Sequence, residues 1–377
     1  MSKNYTFLSL EQVNRPFMPE IRAAIESVAL SGRYIGGPEV ERFEKMLATG
    51  TGVPYAVGVA NGLDALRLIF RALIIMGRLK SGDEVLIPAN TYVASFLAVS
   101  DAGLRPVPVD IDAGTSNMSA QAVLEALSPR TRAILPVHLY GRVCWSSELA
   151  AIADRHNLIV VEDNAQAIGA IAPVPGVWGS CRAGAIGHAA AFSFYPTKNI
   201  GALGDAGAVT TGDAALAATV RALANYGSDK RYHNIYKGFN SRLDPIQAAV
   251  LNVKLPHTDA VNAGRRRTAA IYLARITNQL VTLPATGGDD CVWHQFVVRT
   301  PRRDHFRHWL EERGVPTDVN YPVPCHRQPC YSGELDSYIL PVAEEQARTL
   351  VCLPIACVPD DDAREIADII NNYQEND

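Results

Sequence analysis

The fold of this chain is indicated by one continuous stretch, Tyr55-Ala-Val-Gly-Val-Ala-Asn-Gly-Leu-Asp-Ala-Leu-Arg-Leu-Ile-Phe-Arg-Ala-Leu73. Residues Tyr55–Val59 are mostly apolar and predict a short buried strand. Asn61-Gly62 then opens a helix, whose apolar residues recur at spacings of three and four: Leu66, Ile69, Phe70 and Leu73. A strand followed at once by a helix with one apolar face is the repeating unit of an α/β sheet.

The same alternation continues along the chain as far as Val209. Further strands are predicted at Glu84–Ile87, Val107–Val109, Ala133–Val137 and Leu158–Val161, with helical patterns between them. Such βαβ repetition predicts a largely parallel sheet that is covered by helices on both faces.

Beyond about Asp244 the pattern changes. A long helical stretch precedes a strand at Gln295–Val298, and helices are predicted near His305–Arg313 and Asp362–Asn371. A chain of 377 residues also exceeds the size at which one hydrophobic core usually stops growing. We therefore expect a large domain over residues 1–243 and a smaller C-terminal α+β domain over residues 244–377.

The composition excludes several classes of partner and location. The chain is 48% apolar and 20% charged, with a formal net charge of -4 and no block of like charges. This balance gives no electrostatic reason to expect nucleic acid or a membrane surface. No signal-peptide core or membrane span is predicted. The seven cysteines are scattered without CxxC pairs, which favours a reducing cytoplasm over a disulfide framework.

In a parallel sheet, ligands bind at the carboxyl ends of the strands. An apolar strand ends there in Phe192-Ser193, and Lys198 follows five residues later among aromatic and small residues. Partial desolvation of that lysine would favour the neutral amine, which is nucleophilic enough to form a Schiff base. Taken alone this is weak support, because a lysine in a loop is a solvated surface lysine in roughly nine cases of ten.

Three other groups fall at predicted strand ends, and each also has an ordinary structural explanation. Asp163 follows the strand Leu158–Val161 by two residues, where it could pair with a protonated ring nitrogen or simply cap a helix. Asn61-Gly62 opens a helix whose free amides could bind a phosphate or only form a turn. Tyr92 could stack on a flat ring or only pack against its neighbours. Together with Lys198, these groups match the needs of pyridoxal phosphate.

The order of short motifs along nearly the whole chain resembles the DegT/DnrJ/EryC1/StrS family of sugar aminotransferases. The motifs are Ser31-Gly-Arg-Tyr-Ile-Gly36, Phe43-Glu44, Asn61-Gly-Leu-Asp-Ala-Leu66, Pro88-Ala-Asn-Thr-Tyr92, Pro136-Val-His-Leu-Tyr-Gly141, Glu162-Asp-Asn-Ala-Gln166, Ser193-Phe-Tyr-Pro-Thr-Lys198, Gly238-Phe-Asn-Ser-Arg-Leu-Asp244, Gln247-Ala-Ala249, Tyr321-Pro-Val-Pro-Cys-His326 and Leu353-Pro354. The resemblance implies the fold type I architecture of pyridoxal-phosphate (PLP) dependent aminotransferases, whose large domain holds a mostly parallel seven-stranded sheet.

The resemblance also implies roles for individual residues. Lys198 would form the Schiff base, Asp163 would contact the pyridine nitrogen, Tyr92 would stack on the ring and Gln166 would lie near its 3-oxygen. The phosphate would be held by Gly62, Leu63 and Ser193, joined by Asn240 from the partner subunit of a homodimer. Many relatives have threonine at the position of Leu63, so one hydroxyl hydrogen bond, typically worth about 0.5–1.5 kcal/mol, is lost here.

The implied reaction is transfer of an amino group, with L-glutamate as donor, to a nucleotide-linked keto sugar. The motifs from Val59 to Leu68, Tyr226 to Tyr232 and Asn240 to Asp244 are most similar to enzymes that aminate C3 of dTDP-3-keto-6-deoxyhexoses. Candidate sugar contacts by position are Tyr34, Tyr232, Tyr321 and His326, each of which is also compatible with interface packing. A 4-keto substrate, a dehydratase and a regulatory role of the same fold remain open, although Lys198 argues against a dehydratase.

Two unrelated functions are less well supported by the residues. His305 and His308 lie one helical turn apart but lack acidic or cysteine ligands at metal spacing, so no metal site is predicted. The glycines between Gly201 and Gly207 do not form the GxGxxG motif after a first strand that a dinucleotide site requires.

Overall fold

A computed structural model describes residues 3–374, so the outermost ends of the two predicted domains, residues 1–2 and 375–377, lie outside it. The helices are α1 (Leu10–Asn14), α2 (Met18–Ser31), α3 (Pro38–Thr51), α4 (Gly62–Ile75), α5 (Ala94–Asp101), α6 (Ala120–Ala126), α7 (Ser147–Arg155), α8 (Ala214–Ala224), α9 (Pro245–Lys254), α10 (Thr258–Arg275), α11 (Arg303–Glu312), α12 (Pro341–Thr349) and α13 (Asp360–Asn371). The strands are β1 (Tyr55–Val59), β2 (Glu84–Pro88), β3 (Arg105–Val109), β4 (Thr131–Ile134), β5 (Ile159–Asp163), β6 (Ala189–Ser193), β7 (Gly207–Thr211), β8 (Ser228–Lys230), β9 (His233–Asn234), β10 (Phe296–Arg299) and β11 (Leu350–Leu353).

Seven strands form the main sheet in the order β1-β7-β6-β5-β4-β2-β3. Strand β7 runs antiparallel to both of its neighbours, and the other pairs are parallel. The carboxyl ends of β1, β2, β5 and β6 therefore meet at one edge. The predicted α/β class and the mostly parallel seven-stranded sheet are confirmed.

Helices cover both faces of this sheet because successive strand residues point to opposite sides. One face carries α4, α5 and α8, packed on side chains such as Val59, Ile87 and Val209. The other face is covered by α6 and α7 in one cluster and by α3 and α9 in another.

The predicted strand boundaries hold within a few residues. Strand β1 has the predicted bounds, whereas β4 ends at Ile134 instead of Val137. The reason is Pro136, which has no N–H to donate to a ladder. Pairing resumes beyond it only as a single bridge between Val137 and Asp163.

The C-terminal part has its own core. Strands β10 and β11 pair antiparallel, and α10, α11 and α13 pack with them around Tyr272, Phe296 and Phe306. Helix α9 instead packs on α2 and α3, where Ala248 and Leu251 share a cluster with Phe43. The two-domain division stays a prediction, and from this packing we propose that its boundary lies after α9 and not at Asp244.

Candidate active site

A cavity of about 620 Å³ opens at the edge where the parallel strands end. Most of the predicted cofactor-binding residues line it: Gly62, Leu63, Tyr92, Asp163, Gln166, Ser193 and Lys198. Of the predicted sugar contacts, Tyr321 lines it as well. The fold thus brings together side chains that are separated by up to 259 positions in the chain.

Lys198 lies in the loop that follows β6 and is half-buried in the cavity wall. Removal of water from around its amine lowers the pKa of Lys198 to about 8, against an opposing effect of the Asp163 carboxylate, which favours the charged form. A lysine with a pKa near 8 presents a substantial fraction of free amine at neutral pH. It can therefore act as a nucleophile and as a proton acceptor.

Asp163 is the last residue of β5 and is 8% exposed. Its Oδ2 accepts a hydrogen bond of 2.8 Å from the Ser95 hydroxyl, and its Oδ1 accepts one of 3.2 Å from the Ala165 N–H. These two donors from different segments fix the carboxylate at the cavity wall. The arrangement suits a carboxylate that pairs with a protonated ring nitrogen.

The neighbouring Glu162 points to the opposite face of the sheet and is fully buried. Its carboxylate accepts hydrogen bonds from the backbone N–H groups of Gly184, Ile186 and Gly187 at 2.7–2.8 Å. It also contacts His138 Nε2 at 2.9 Å. Because His138 Nδ1 accepts from the Cys144 N–H, the imidazole donates through Nε2 and is neutral. Glu162 therefore stabilises the fold behind the site and does not face the cavity.

The beginning of α4 forms an anion cradle. Asn61 caps the helix by accepting from the Asp64 N–H at 2.9 Å, and its carbonyl accepts from Ala65. Within residues 3–374 the amides of Gly62 and Leu63 have no acceptor. A Cβ at Gly62 would lie 2.7 Å from the Ser193 Cβ, so only glycine leaves room for an anion between these two residues.

Aromatic and amide groups form the other wall. The Tyr92 ring is 57% exposed and lies 5.3 Å from the Tyr321 ring, with an angle of 37° between the planes. Gln166 accepts from the Tyr140 N–H at 2.6 Å and donates to the Tyr321 hydroxyl at 3.3 Å. Burial raises the pKa of Tyr321 well above its usual range, so its hydroxyl stays protonated.

These groups fit pyridoxal phosphate. An amine of lowered pKa, a held carboxylate, an exposed aromatic ring and an anion cradle surround a single cavity, as the aldehyde, ring nitrogen, ring face and phosphate of that cofactor require. The role of each residue toward the cofactor stays a prediction.

Four predicted residues lie outside the cavity: Tyr34, Tyr232, Asn240 and His326. Tyr34 and Tyr232 are 57% and 88% exposed. Asn240 is also exposed and forms a backbone bridge with Asn225. Their predicted roles need a second subunit or a bound sugar and stay predictions.

His326 differs from the other three because it is buried. Its side chain is fully buried, and its Nε2 lies 3.0 Å from the Glu344 carboxylate. The residue does not line the cavity, because the turn after Pro324 directs it into the protein. Its contact with a sugar stays a prediction.

The cavity also contains residues that the sequence did not indicate. His294 lines it, together with Asp318 and Asn320 in a later loop. Ser95 does not line the cavity but lies behind it and donates to Asp163. Ser95 lies three residues after Tyr92, so the spacing within Pro88–Ser95 was a usable signal. His294 lies 96 residues beyond Lys198, and nothing in its local sequence connects the two.

Two further properties concern the described chain as a whole. No group of three or more His, Cys, Asp or Glu side chains within residues 3–374 could hold a metal ion. Over the same residues, every helix is too short or too polar to cross a bilayer.

Comparison with known proteins gives consistent relatives. The chain is 45% identical over 369 residues to the dTDP-3-amino-3,6-dideoxy-alpha-D-galactopyranose transaminase of Aneurinibacillus thermoaerophilus, covering 97% of this chain and 99% of the relative. It is 47% identical over 352 residues to the dTDP-3-amino-3,4,6-trideoxy-alpha-D-glucose transaminase of Streptomyces venezuelae, covering 93% and 90%.

A solved structure, S. venezuelae DesV in complex with a ketimine intermediate, superposes with a TM-score of 0.92 at 45% identity and covers 99% of both chains. The family model described as the DegT/DnrJ/EryC1/StrS aminotransferase family matches residues 17–371. The resemblance of the motifs is thereby confirmed, and the chain belongs to the DegT/DnrJ/EryC1/StrS aminotransferase family.

Proposed function

We propose that this protein is a pyridoxal-phosphate-dependent aminotransferase that converts a nucleotide-linked 3-keto-6-deoxyhexose to the 3-amino sugar with L-glutamate as donor. The observation that carries the proposal is the amine of Lys198, whose pKa is lowered to about 8, in one cavity with Asp163 and the cradle at Gly62. Two relatives named as dTDP-3-amino sugar transaminases support the choice of substrate.

When bound, pyridoxal phosphate supplies an electron sink for the negative charge that develops at the carbon losing its proton. Lys198 would bond to the cofactor's aldehyde carbon, and once freed its Nζ would remove the donor's α-proton and return it to the cofactor. Asp163, held by Ser95, would keep the ring nitrogen protonated. Gly62, Leu63 and Ser193 would hold the phosphate, and Tyr92 would cover the ring.

The experiment is a spectroscopic half-reaction. Purified wild-type protein should absorb as a lysine-bound cofactor, and L-glutamate alone should convert it to the pyridoxamine form. Lys198→Ala should lose the conversion, whereas Lys80→Ala, which changes an exposed lysine away from the cavity, should behave as wild type. Multiple turnovers by Lys198→Ala at the wild-type rate would contradict the mechanism.

A panel of dTDP-, UDP- and GDP-linked keto sugars then decides the acceptor. The proposal expects the highest kcat/KM for a dTDP-3-keto-6-deoxyhexose. A preference for 4-keto sugars would replace the assignment to C3 without affecting transamination. Cofactor binding with no conversion by any donor would favour a regulatory or other non-transaminating role.

We extend the proposal to a cytoplasmic homodimer with shared sites. The exposure of Asn240 outside the cavity of its own chain is compatible with a role in a partner's site. All seven cysteines are free thiols, which is typical of a reducing compartment.

A further inference from the structure

His294 lines the same cavity as Lys198, but the proposed reaction gives it no task. It lies two residues before β10 and is 6% exposed. A buried imidazole facing a reaction cavity is a candidate for proton handling or for hydrogen bonding. Which of the two applies depends on the position of its proton.

A chain of buried amides determines that position. Asn262 donates from Nδ2 to the carbonyl of Ile168 at 2.9 Å, so its Oδ1 accepts from Asn199 Nδ2 at 2.9 Å. The same Asn199 nitrogen donates to the carbonyl of Val292 at 3.1 Å. Asn199 Oδ1 is therefore the atom that lies 3.1 Å from His294 Nδ1. Since that oxygen can only accept, Nδ1 carries the hydrogen and Nε2 of the neutral ring is a bare acceptor.

The backbone around His294 is held as firmly as the ring. Arg265 Nη1 donates to the carbonyls of Trp293 and His294 at 3.2 and 3.0 Å. Trp293 has a φ of 48°, in the left-handed region. Gly141 permits the close approach of the opposing turn, because a Cβ there would lie 2.7 Å from the His294 nitrogen. So many constraints on one residue indicate that its placement matters.

The electrostatic surroundings keep the ring neutral. Burial, followed by the charges of Lys198 and Arg265, lowers the pKa of His294 well below its usual value. The other titratable groups at this cavity are Asp163 from β5, the loop carboxylates Asp205 and Asp318, and the tyrosines Tyr92, Tyr195 and Tyr321. Among the residues that line the cavity, Lys198 is the cationic hydrogen-bond donor.

Building on the proposed function, we propose that His294 is a positioning residue whose permanently neutral Nε2 accepts a hydrogen bond from the Lys198 ammonium whenever that side chain is free. After Lys198 has taken the substrate's α-proton, this bond holds the charged side chain in place for the return of the proton. His294 itself neither gains nor loses a proton in the cycle.

Two substitutions separate this role from simple packing. His294→Asn retains a donor near the position of Nδ1, which can still reach Asn199, but removes the acceptor. His294→Gln removes that donor and places an amide oxygen near the position of Nε2. The proposal expects the glutamate half-reaction to slow by about 10- to 100-fold in His294→Asn. It expects His294→Gln to recover most of that loss.

The pH profile is the second readout. Without its acceptor the Lys198 ammonium is less stable and loses its proton at lower pH. The rise of the half-reaction rate with pH should therefore lie about one to two pH units lower in His294→Asn. His294→Gln should move it back. If both variants lose the same fraction of the half-reaction rate, and the pH at which that rate rises is unchanged, His294 has a structural role only and the proposal is overturned.

The third readout needs neither variant to be active. In ¹⁵N-histidine-labelled wild-type holoenzyme in its pyridoxamine form, the His294 ring nitrogens should report the neutral Nδ1–H tautomer from about pH 5.5 to about pH 9. Titration of that ring within this range, or the Nε2–H tautomer, would overturn the proposal. Wild-type protein that fails to convert with glutamate, yet shows this tautomer, would contradict the proposed function and leave the ring assignment standing.

Discussion

At the residue scale, the anion cradle depends on a position where a side chain is excluded. Gly62 begins α4 directly opposite Ser193, and a Cβ there would lie 2.7 Å from the Ser193 Cβ and 3.3 Å from its Cα. Neither Gly62 nor its neighbour Leu63 donates its amide within residues 3–374. The glycine thus keeps two helix-terminal donors accessible to an anion.

Gly62→Ala should weaken the binding of pyridoxal phosphate by about 10- to 100-fold, because the added methyl group displaces Ser193 and narrows the cradle. Fluorescence titration of the cofactor-free protein measures the change. The double variant Gly62→Ala/Ser193→Gly removes the Cβ that is struck and should regain part of the affinity. If the double variant loses as much binding free energy as the two single variants added together, steric exclusion is not the cause.

At the scale of elements, strand β5 places two adjacent carboxylates in opposite roles. Asp163 faces the cavity side with Ser95 from α5. Glu162 faces the other layer and accepts from three backbone amides in the loop before β6. Because side chains alternate along a strand, Asp163 faces the cavity while the adjacent Glu162 stabilises the fold on the other side of the sheet.

Asp163→Asn should lower kcat at least about 100-fold with little change in Tm, because an amide cannot stabilise a protonated ring nitrogen. Glu162→Gln should instead destabilise the protein by roughly 3 kcal/mol, since the buried amide cannot satisfy all of the donors that the carboxylate accepts. Half-reaction kinetics and thermal unfolding of both variants test the pair. Similar effects of the two substitutions on both measurements would be incompatible with separate roles.

At the scale of the whole molecule, distant segments meet around a buried lysine. Lys254 at the end of α9 is 1% exposed and donates to Asn14 Oδ1 at 2.8 Å and to the carbonyl of Gly201 at 2.5 Å. It therefore joins α1 to the loop that follows Lys198. Burial lowers the pKa of Lys254 to about 8 from its usual 10.5.

This shift predicts a pH dependence of stability. Below pH 8 Lys254 is charged in both the folded and the unfolded protein, and burial of its ammonium destabilises the folded state. Between about pH 8 and pH 10.5 the folded state releases its proton first, so the stability of wild type relative to Lys254→Met should rise, by about 3 kcal/mol in total. Urea unfolding of both proteins at equal concentration across this range measures the difference. A constant difference would mean that Lys254 is not desolvated as described.

The predicted sharing of sites in a homodimer can be tested by complementation. Lys198→Ala and Asn240→Ala should each be poorly active alone. If Asn240 acts in the partner's site, mixed dimers of the two variants contain one intact site, and random mixing should restore about a quarter of wild-type activity. Mixtures of Lys198→Ala with wild type serve as the reference for exchange. No recovery despite proven exchange would place Asn240 in a site of its own chain or in none.

The sequence by itself determined the α/β class, the family and the cluster around Lys198. This was possible because those features depend on local patterns: a strand at Tyr55–Val59, a capped helix at Asn61 and short motifs at strand ends. The opposite orientations of Glu162 and Asp163 also follow from a strand's two-residue period once β5 is recognised.

Only the tertiary structure decided which isolated side chains share the cavity. His294 lines the same cavity as Lys198, held beside a left-handed Trp293 and a chain of buried amides. His326, by contrast, is buried against Glu344. The antiparallel direction of β7 and the packing of α9 with the N-terminal helices belong to the same category. These features arise from contacts between segments far apart in the chain. The local conformational preferences of a segment do not predict which distant segment it contacts.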